Sequence, residues 1–231
     1  MTKKNSDDSV YWDRVYAAFH QGTAPRESVW NEESTPFFSK SISWLKFLDV
    51  KNVLDAGCGD GRNLAPFIQA GFEVIGVDYS TTAIECCKRN YPNVSNLKLI
   101  CCPLADIPLT SGKLDLIICD HVLVHLRNVD EVLKRFYALL RIGGYALLEF
   151  TSCLDSTYGQ GSKLSAREFV QDGVYLRYDE PDNIAKMLVD FNLLYFSSEH
   201  STDPAHGPGY IRRKRHAHHS YFVVCYKGEA Q

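Results

Sequence analysis

Asp55, Gly57, Gly59 and Gly61 stand at every second position, directly after the apolar pair Val53-Leu54. Glycine lets a backbone bend sharply and lets a ligand press against it, because no Cβ intervenes. The phrase reads as a strand, a tight turn and the start of a helix, with the turn as a cradle. It is not the dinucleotide fingerprint, which needs G-x-G-x-x-G. Gly57 and Gly59 fit that pattern, but Arg62 stands at the third glycine position and Gly61 comes one residue early. Asp78 follows seventeen residues after Gly61, closing the run Val74-Ile75-Gly76-Val77. In an open α/β sheet, ligands gather beyond the carboxyl ends of the strands. A carboxylate at that point can accept both hydroxyl protons of a ribose as charge-assisted hydrogen bonds, or it can cap the next helix.

These residues need a framework of alternating strands and helices, and the chain supplies one. Strands are expected at Asn52 to Asp55, Glu73 to Asp78, Leu97 to Cys101, Leu114 to Cys119 and Tyr145 to Thr151. Helices are expected from Arg62 to Ala70, from Thr81 to Asn90 with Ser80 as N-cap, and from Val129 to Arg141 before Gly143-Gly144. The fourth strand is apolar enough to be buried on both faces. A helix from Pro181 to Phe191 and strands at Leu193 to Ser201 and Ser220 to Lys227 complete the order. Residues 10 to 48 carry aromatic helical segments, interrupted by Pro25 and Pro36, with a loop near Gly22 to Glu27. Residues 152 to 179 read as an irregular insertion.

The ordered phrases resemble those of class I S-adenosylmethionine-dependent methyltransferases. Asp55-x-Gly57-x-Gly59-x-Gly61 is similar to the first motif, and Asp78 stands where the second motif has its acid. Pro103-Leu104-Ala105-Asp106-Ile107 follows the third strand, where the family uses an acid to accept from the adenine amino group and apolar side chains to flank the ring. Leu114 to Leu126 resembles the fourth motif, which opens beside the methionine part and the transferable methyl. The resemblance covers about residues 50 to 151 and is specific for fold and cofactor, not for the acceptor. It implies a Rossmann-like α/β fold with a seven-stranded, mostly parallel sheet, an antiparallel last strand and helices on both faces. Residues 1–48 would form a helical lid segment on a methyltransferase domain spanning 49–231.

The resemblance implies S-adenosylmethionine as cofactor. The residues it puts on that cofactor are Asp55, Gly57, Cys58, Gly59, Asp78, Tyr79, Ala105, Asp106, Ile107, Asp120 and His121. Related small-molecule enzymes close an N-terminal aromatic over the sulfonium, which makes Tyr16 and Trp30 candidates on cation–π grounds. The same aromatics also read as lid core. His125 lies about one helical turn after His121, and either is the candidate base if the acceptor must lose a proton. Either is equally a hydrogen-bonded rim histidine.

The loop from Asp203 to Ala217 follows the sixth strand, whose carboxyl end lies on the ligand side in the family topology. It holds His206, Arg212, Arg213, Lys214, Arg215 and His216. This run reads either as a solvated hairpin tip or as a cationic wall, with His206, Arg212, Arg213 and His216 steering an anionic or phosphorylated acceptor. A zinc site among His206, His216, His218 and His219 is set aside, so no metal is expected. His218 and His219 point to opposite faces of a strand, and no cysteine or acid completes a recognised spacing.

Bulk properties narrow the partners. The chain has 231 residues, a net charge of −3 and 12% aromatic residues, so it is no generic polyanion binder. No apolar run reaches membrane-spanning length, and Met1 to Ser9 is polar, read as a frayed tail without a signal peptide. The eight cysteines include two adjacent pairs and no C-x-x-C, so a reducing, cytoplasmic setting is expected. The leading expectation is methyl transfer to a small-molecule acceptor by in-line displacement. The alternatives are an RNA methyltransferase using the Arg212 to Arg215 run, and a non-catalytic S-adenosylmethionine-binding protein. The acidic charge, and Asp120-His121-Val122-Leu123 where base-methylating enzymes carry an N-P-P-Y phrase, weigh against RNA. Oligomeric state has no signal in the sequence.

Overall fold

The computed structural model describes residues 6–21, 33–203, 205 and 215–229. The apolar runs become β1 (Asn52–Ala56), β2 (Glu73–Asp78), β3 (Leu97–Cys101), β4 (Leu114–Cys119) and β5 (Leu140–Thr151). Three short strands follow, β6 (Ser162–Lys163), β7 (Glu168–Gln171) and β8 (Val174–Arg177), and then β9 (Asn192–Asp203) and β10 (His216–Tyr226). The main sheet has seven strands in the order β3-β2-β1-β4-β5-β10-β9. The first five are mutually parallel, and β10 runs antiparallel to both β5 and β9. This is the Rossmann-like arrangement that the resemblance implies, with β9 parallel to β5.

Both faces of the sheet are covered. On β4, Ile117 and Cys119 join one buried cluster while Leu116 and Ile118 join the other. That alternation follows from the two-residue period of a strand buried on both sides. One face carries α5 (Val129–Leu139) and α6 (Pro181–Met187). The other carries α2 (Pro36–Phe47), α3 (Leu64–Gln69) and α4 (Thr81–Asn90).

Several boundaries differ from expectation for local reasons. Pro36 starts α2 instead of interrupting it, because a missing N–H is harmless in a first turn. Helix α5 stops at Leu139, short of Arg141, because Leu140 already pairs with Leu114 of β4. Ser6 to Ser9, expected within a frayed tail, instead begin α1 (Ser6–Gln21), and Met1 to Asn5 lie outside the described residues. The loop expected near Gly22 to Glu27 lies outside the described residues. Within residues 152–179, β7 and β8 form a hairpin closed by Asp172 and Gly173, at φ 50 and 86. A two-residue turn with both φ positive matches the twist of paired strands, and Asp-Gly favours it.

A third buried cluster lies apart from the main sheet. Tyr11, Trp12, Val15, Tyr16 and Phe19 of α1 pack with Ala83 and Cys86 of α4 and with Phe169, Val174 and Leu176 of the small sheet. Asp13 fixes α1 to the start of α4: its Oδ1 accepts from Ser80 Oγ at 2.6 Å and from the Thr82 N–H at 3.0 Å. Ser80 caps α4 as expected, its Oγ accepting from the Ala83 N–H at 3.1 Å. Among the described residues no helix is long and apolar enough to cross a membrane.

Candidate active site

The turn after β1 bends as its glycines allow. Gly57 and Gly61 take φ 81 and 102. A Cβ at Gly57 would strike the Val122 side chain, and one at Gly61 would lie 2.5 Å from the Tyr91 ring. The turn thus packs closely against β4's exit on one side and α4 on the other. Together with the carboxyl ends of β2 and β4 it walls a cavity of about 300 Å³. Trp12 and Tyr16 of α1 and His218 of β10 complete opposite parts of its lining.

Asp78 closes β2 inside this cavity. Its Oδ2 accepts from the Gly59 N–H at 3.0 Å and its Oδ1 from the Ser80 N–H at 2.9 Å. Burial pushes its carboxyl up to about 6, although the Ser80, Gly59 and Tyr79 N–H groups work to lower it. Asp55 lies behind the turn. Its Oδ2 is buried with no hydrogen-bond partner. Burial, and to a lesser degree the charge of Asp120, push this carboxyl up to about 8 against the pull of Arg62.

Asp120 sits just past β4 and gathers donors from distant parts of the chain. Its Oδ2 accepts from Arg62 Nη2 at 2.5 Å, Thr35 Oγ1 at 2.7 Å and Asn63 Nδ2 at 3.0 Å. Burial works to raise its carboxyl, but His121, Arg62 and the two neutral donors outweigh it and hold the value below normal. His121 adopts φ 54, a left-handed conformation uncommon outside glycine. Its ring nitrogens each lie 3.8 Å from a carboxylate, Asp120 on one side and Glu149 on the other. Glu149 is fully buried and accepts from the His121 N–H at 3.2 Å and from Ser220 Oγ at 2.5 Å.

His125 lines the cavity with its ring edge-on to Trp12, centroids 4.8 Å apart. Its Nδ1 lies 3.1 Å from the Tyr175 carbonyl oxygen. A carbonyl only accepts, so Nδ1 carries a proton, and in the neutral form of the ring the lone pair is on Nε2.

Gly57, Cys58, Gly59, Asp78, Tyr79, Ala105, Asp120, His121, His125 and Tyr16 all line this one cavity. Asp55 supports the turn without lining the cavity. Asp106 is exposed at the end of the turn Leu104–Asp106 and is absent from the lining. Ile107 faces the sheet's core at 1% exposure, because a 3₁₀ turn puts Leu104 and Ile107 on one side. The apolar shelf is therefore Pro103, Leu104 and Ala105. His216 is described, beside His218 with ring centroids 4.6 Å apart. Trp30, His206, Arg212 and Arg213 lie outside the described residues. The sequence reading missed Arg62, Asn63, Thr35, Trp12 and His218 as site residues. Position directly after the glycine turn was a usable signal for Arg62 and Asn63; Thr35 stands 85 residues from Asp120 and had none.

Fold and cavity together define an α/β protein with a glycine turn and a strand-end acid at one cavity. Comparison with known proteins narrows this. A family model described as a methyltransferase domain matches residues 54–148. The ubiquinone biosynthesis O-methyltransferase of Rickettsia akari is 26% identical over 188 residues, covering 78% of this chain and 71% of that one. A probable S-adenosylmethionine-dependent methyltransferase of Mycobacterium tuberculosis is 24% identical over 80% of this chain, which spans 56% of that relative. The Burkholderia thailandensis 1,6-didemethyltoxoflavin-N1-methyltransferase, solved with 1,6-didemethyltoxoflavin and S-adenosylhomocysteine, superposes with a TM-score of 0.66. It is 18% identical, with 99% of this chain and 92% of that one covered.

The family model, the relatives and the fold bear out the resemblance to class I S-adenosylmethionine-dependent methyltransferases, and S-adenosylmethionine is the cofactor they support. The residues present fit that group. A cationic ligand suits a cavity backed by a buried carboxyl without a hydrogen-bond donor at Asp55 Oδ2, beside the carboxylates of Asp78 and Asp120.

Proposed function

We propose that this protein transfers a methyl group to a small-molecule acceptor held in the same cavity. The observation that carries the reading is that α1, sharing one buried core with the small sheet, brings Trp12 and Tyr16 to the wall of the cavity beside His125. A cavity partly covered by a packed helix suits a small acceptor better than a polymer. The relatives whose names specify an acceptor or product point the same way: one acts in ubiquinone biosynthesis and another on 1,6-didemethyltoxoflavin.

When bound, S-adenosylmethionine supplies a methyl already activated on a sulfonium, so the protein need not activate it. The chain's own residues bind, orient and exclude water. Gly57, Cys58 and Gly59 would cradle the amino-acid end, with Asp55 behind them. Asp78 would accept from the ribose hydroxyls. Pro103, Leu104 and Ala105 would form the shelf for the base, with Asp106 at its exposed rim. Asp120 and His121 would stand at the methyl end, and the electron-rich faces of Tyr16 and Trp12 suit a cation. Such positioning contributes roughly 7–11 kcal/mol in favourable systems. For an acceptor that must lose a proton, His125 takes it on Nε2, since Nδ1 is held by Tyr175. His121, between two carboxylates, is the second candidate.

The test is incubation with isotopically labelled S-adenosylmethionine and a fractionated cell extract. Label in a small-molecule fraction is the expected result. Label in RNA or protein, or tight donor binding without any transfer, would overturn the proposal.

A further inference from the structure

The end of β9 and the start of β10 bring two histidines and a carboxylate together beside the cavity. His216 and His218 are two residues apart on one strand, so their side chains share a face. Asp203 is the cross-strand partner of His216. One donor atom from each of the three lies within 4.8 Å of the others. The acid that the histidine run lacks in its own spacing thus comes from the neighbouring strand. His219 faces away, with its Nε2 2.9 Å from Ser198 Oγ.

The hydrogen bonding of His218 points to a ligand. Its Nδ1 lies 2.9 Å from Asp155 Oδ2, a buried carboxylate also held by the N–H groups of Thr157 and His219. That bond puts the proton on Nδ1. The ring Nε2 faces Asp203 Oδ2, 3.7 Å away. A carboxylate behind a histidine is also the arrangement that orients metal-ligating imidazoles.

The geometry points to a divalent transition-metal site formed by His216, His218 and Asp203. Two imidazole nitrogens and one carboxylate oxygen suit zinc-like or iron-like ions. Bonds of ~2.1 Å at tetrahedral angles need donors roughly 3.4 Å apart, which small side-chain rotations supply. Asp203 and His218 line the cavity, so the remaining coordination positions open onto it. There they take an anionic oxygen or sulfur of the acceptor. That last role rests on the function proposed above; the metal site does not.

The test titrates metal-stripped full-length protein with Co²⁺, followed by calorimetry and visible absorption. S-adenosylhomocysteine binding is measured on the same samples. The expected result is one ion per chain, with d–d bands and no thiolate charge-transfer band. Affinity should fall about a hundredfold or more in His216→Ala and in Asp203→Asn, with S-adenosylhomocysteine binding intact, and stay unchanged in His200→Ala. A thiolate band, unchanged affinity in both ligand variants, or no Co²⁺ uptake overturns the site. Co²⁺ uptake as expected, with no S-adenosylhomocysteine binding by the wild type, leaves the metal site standing and overturns the reading of the cavity instead.

Discussion

Arg62 Nη2 lies 2.5 Å from Asp120 Oδ2, joining the residue after the glycine turn to the first residue beyond β4. Both side chains are largely removed from water, at 10% and 1% exposure. Removing one partner of such a pair strands the other charge and costs roughly 3–5 kcal/mol. Arg62→Ala should therefore lower unfolding stability in urea by about 3 kcal/mol, the low end, because Asn63 and Thr35 still serve Asp120. The folded Asp120 carboxyl lies below its ordinary 3.8, so its stabilisation is complete above that value and is lost as pH falls below it. Arg62→Ala should move acid unfolding to higher pH. A stability equal to the wild type at pH 7 would show that the pair contributes nothing.

Asp55 makes the opposite contribution. Its carboxyl sits near 8 in the fold against 3.8 as an ordinary aspartate. Between those values the folded chain holds one proton more than the unfolded chain, so this group makes stability fall as pH rises from about 4 to about 8. Asp55→Asn should raise the melting temperature of the ligand-free protein, more at pH 8 than at pH 5, by about 2–4 °C for each kcal/mol recovered. It should also weaken S-adenosylmethionine binding. Thermal scans with equal shifts at the two pH values would refute the raised carboxyl.

Asp78→Ala should weaken S-adenosylmethionine binding more than tenfold, since hydrogen bonds to a charged group contribute about 1.5–3 kcal/mol. Because this carboxyl sits near 6, wild-type affinity should drop as pH falls through that value, where the protonated form becomes a poorer acceptor. Calorimetry at pH 5.5 and 7.5 checks both, and unchanged affinity in the variant removes Asp78 from the site.

His125→Phe keeps a ring against Trp12 but leaves the Tyr175 carbonyl without this donor. The loss should be about 1–3 kcal/mol. Once an acceptor is known, kinetics separate structure from chemistry. A base role would lower kcat and remove the acid limb of the pH–rate profile, and an unchanged kcat would confine His125 to holding the small sheet.

The parallel half of the sheet was legible because its signals are local. Apolar runs buried on both faces, glycines at a turn and Ser80 at a helix start each act within a few residues. The β7–β8 hairpin was equally legible in Asp172-Gly173 and was passed over inside a stretch read as irregular. Ile107 went wrong because motif position says where a residue falls along a 3₁₀ turn, not which way it faces. Thr35 and Asp203 meet their partners only through the assembled fold. No spacing rule reaches from Thr35 to Asp120, and Asp203 meets His216 through strand register.

The union of α1 with the small antiparallel sheet has a consequence for traffic. Their aromatic side chains share one buried cluster, so moving either piece alone would expose rings to water. Admission and discharge would then couple the two. Amide protons along α1 and along β7–β8 should exchange with deuterium at a common rate, slowed together when S-adenosylhomocysteine is present.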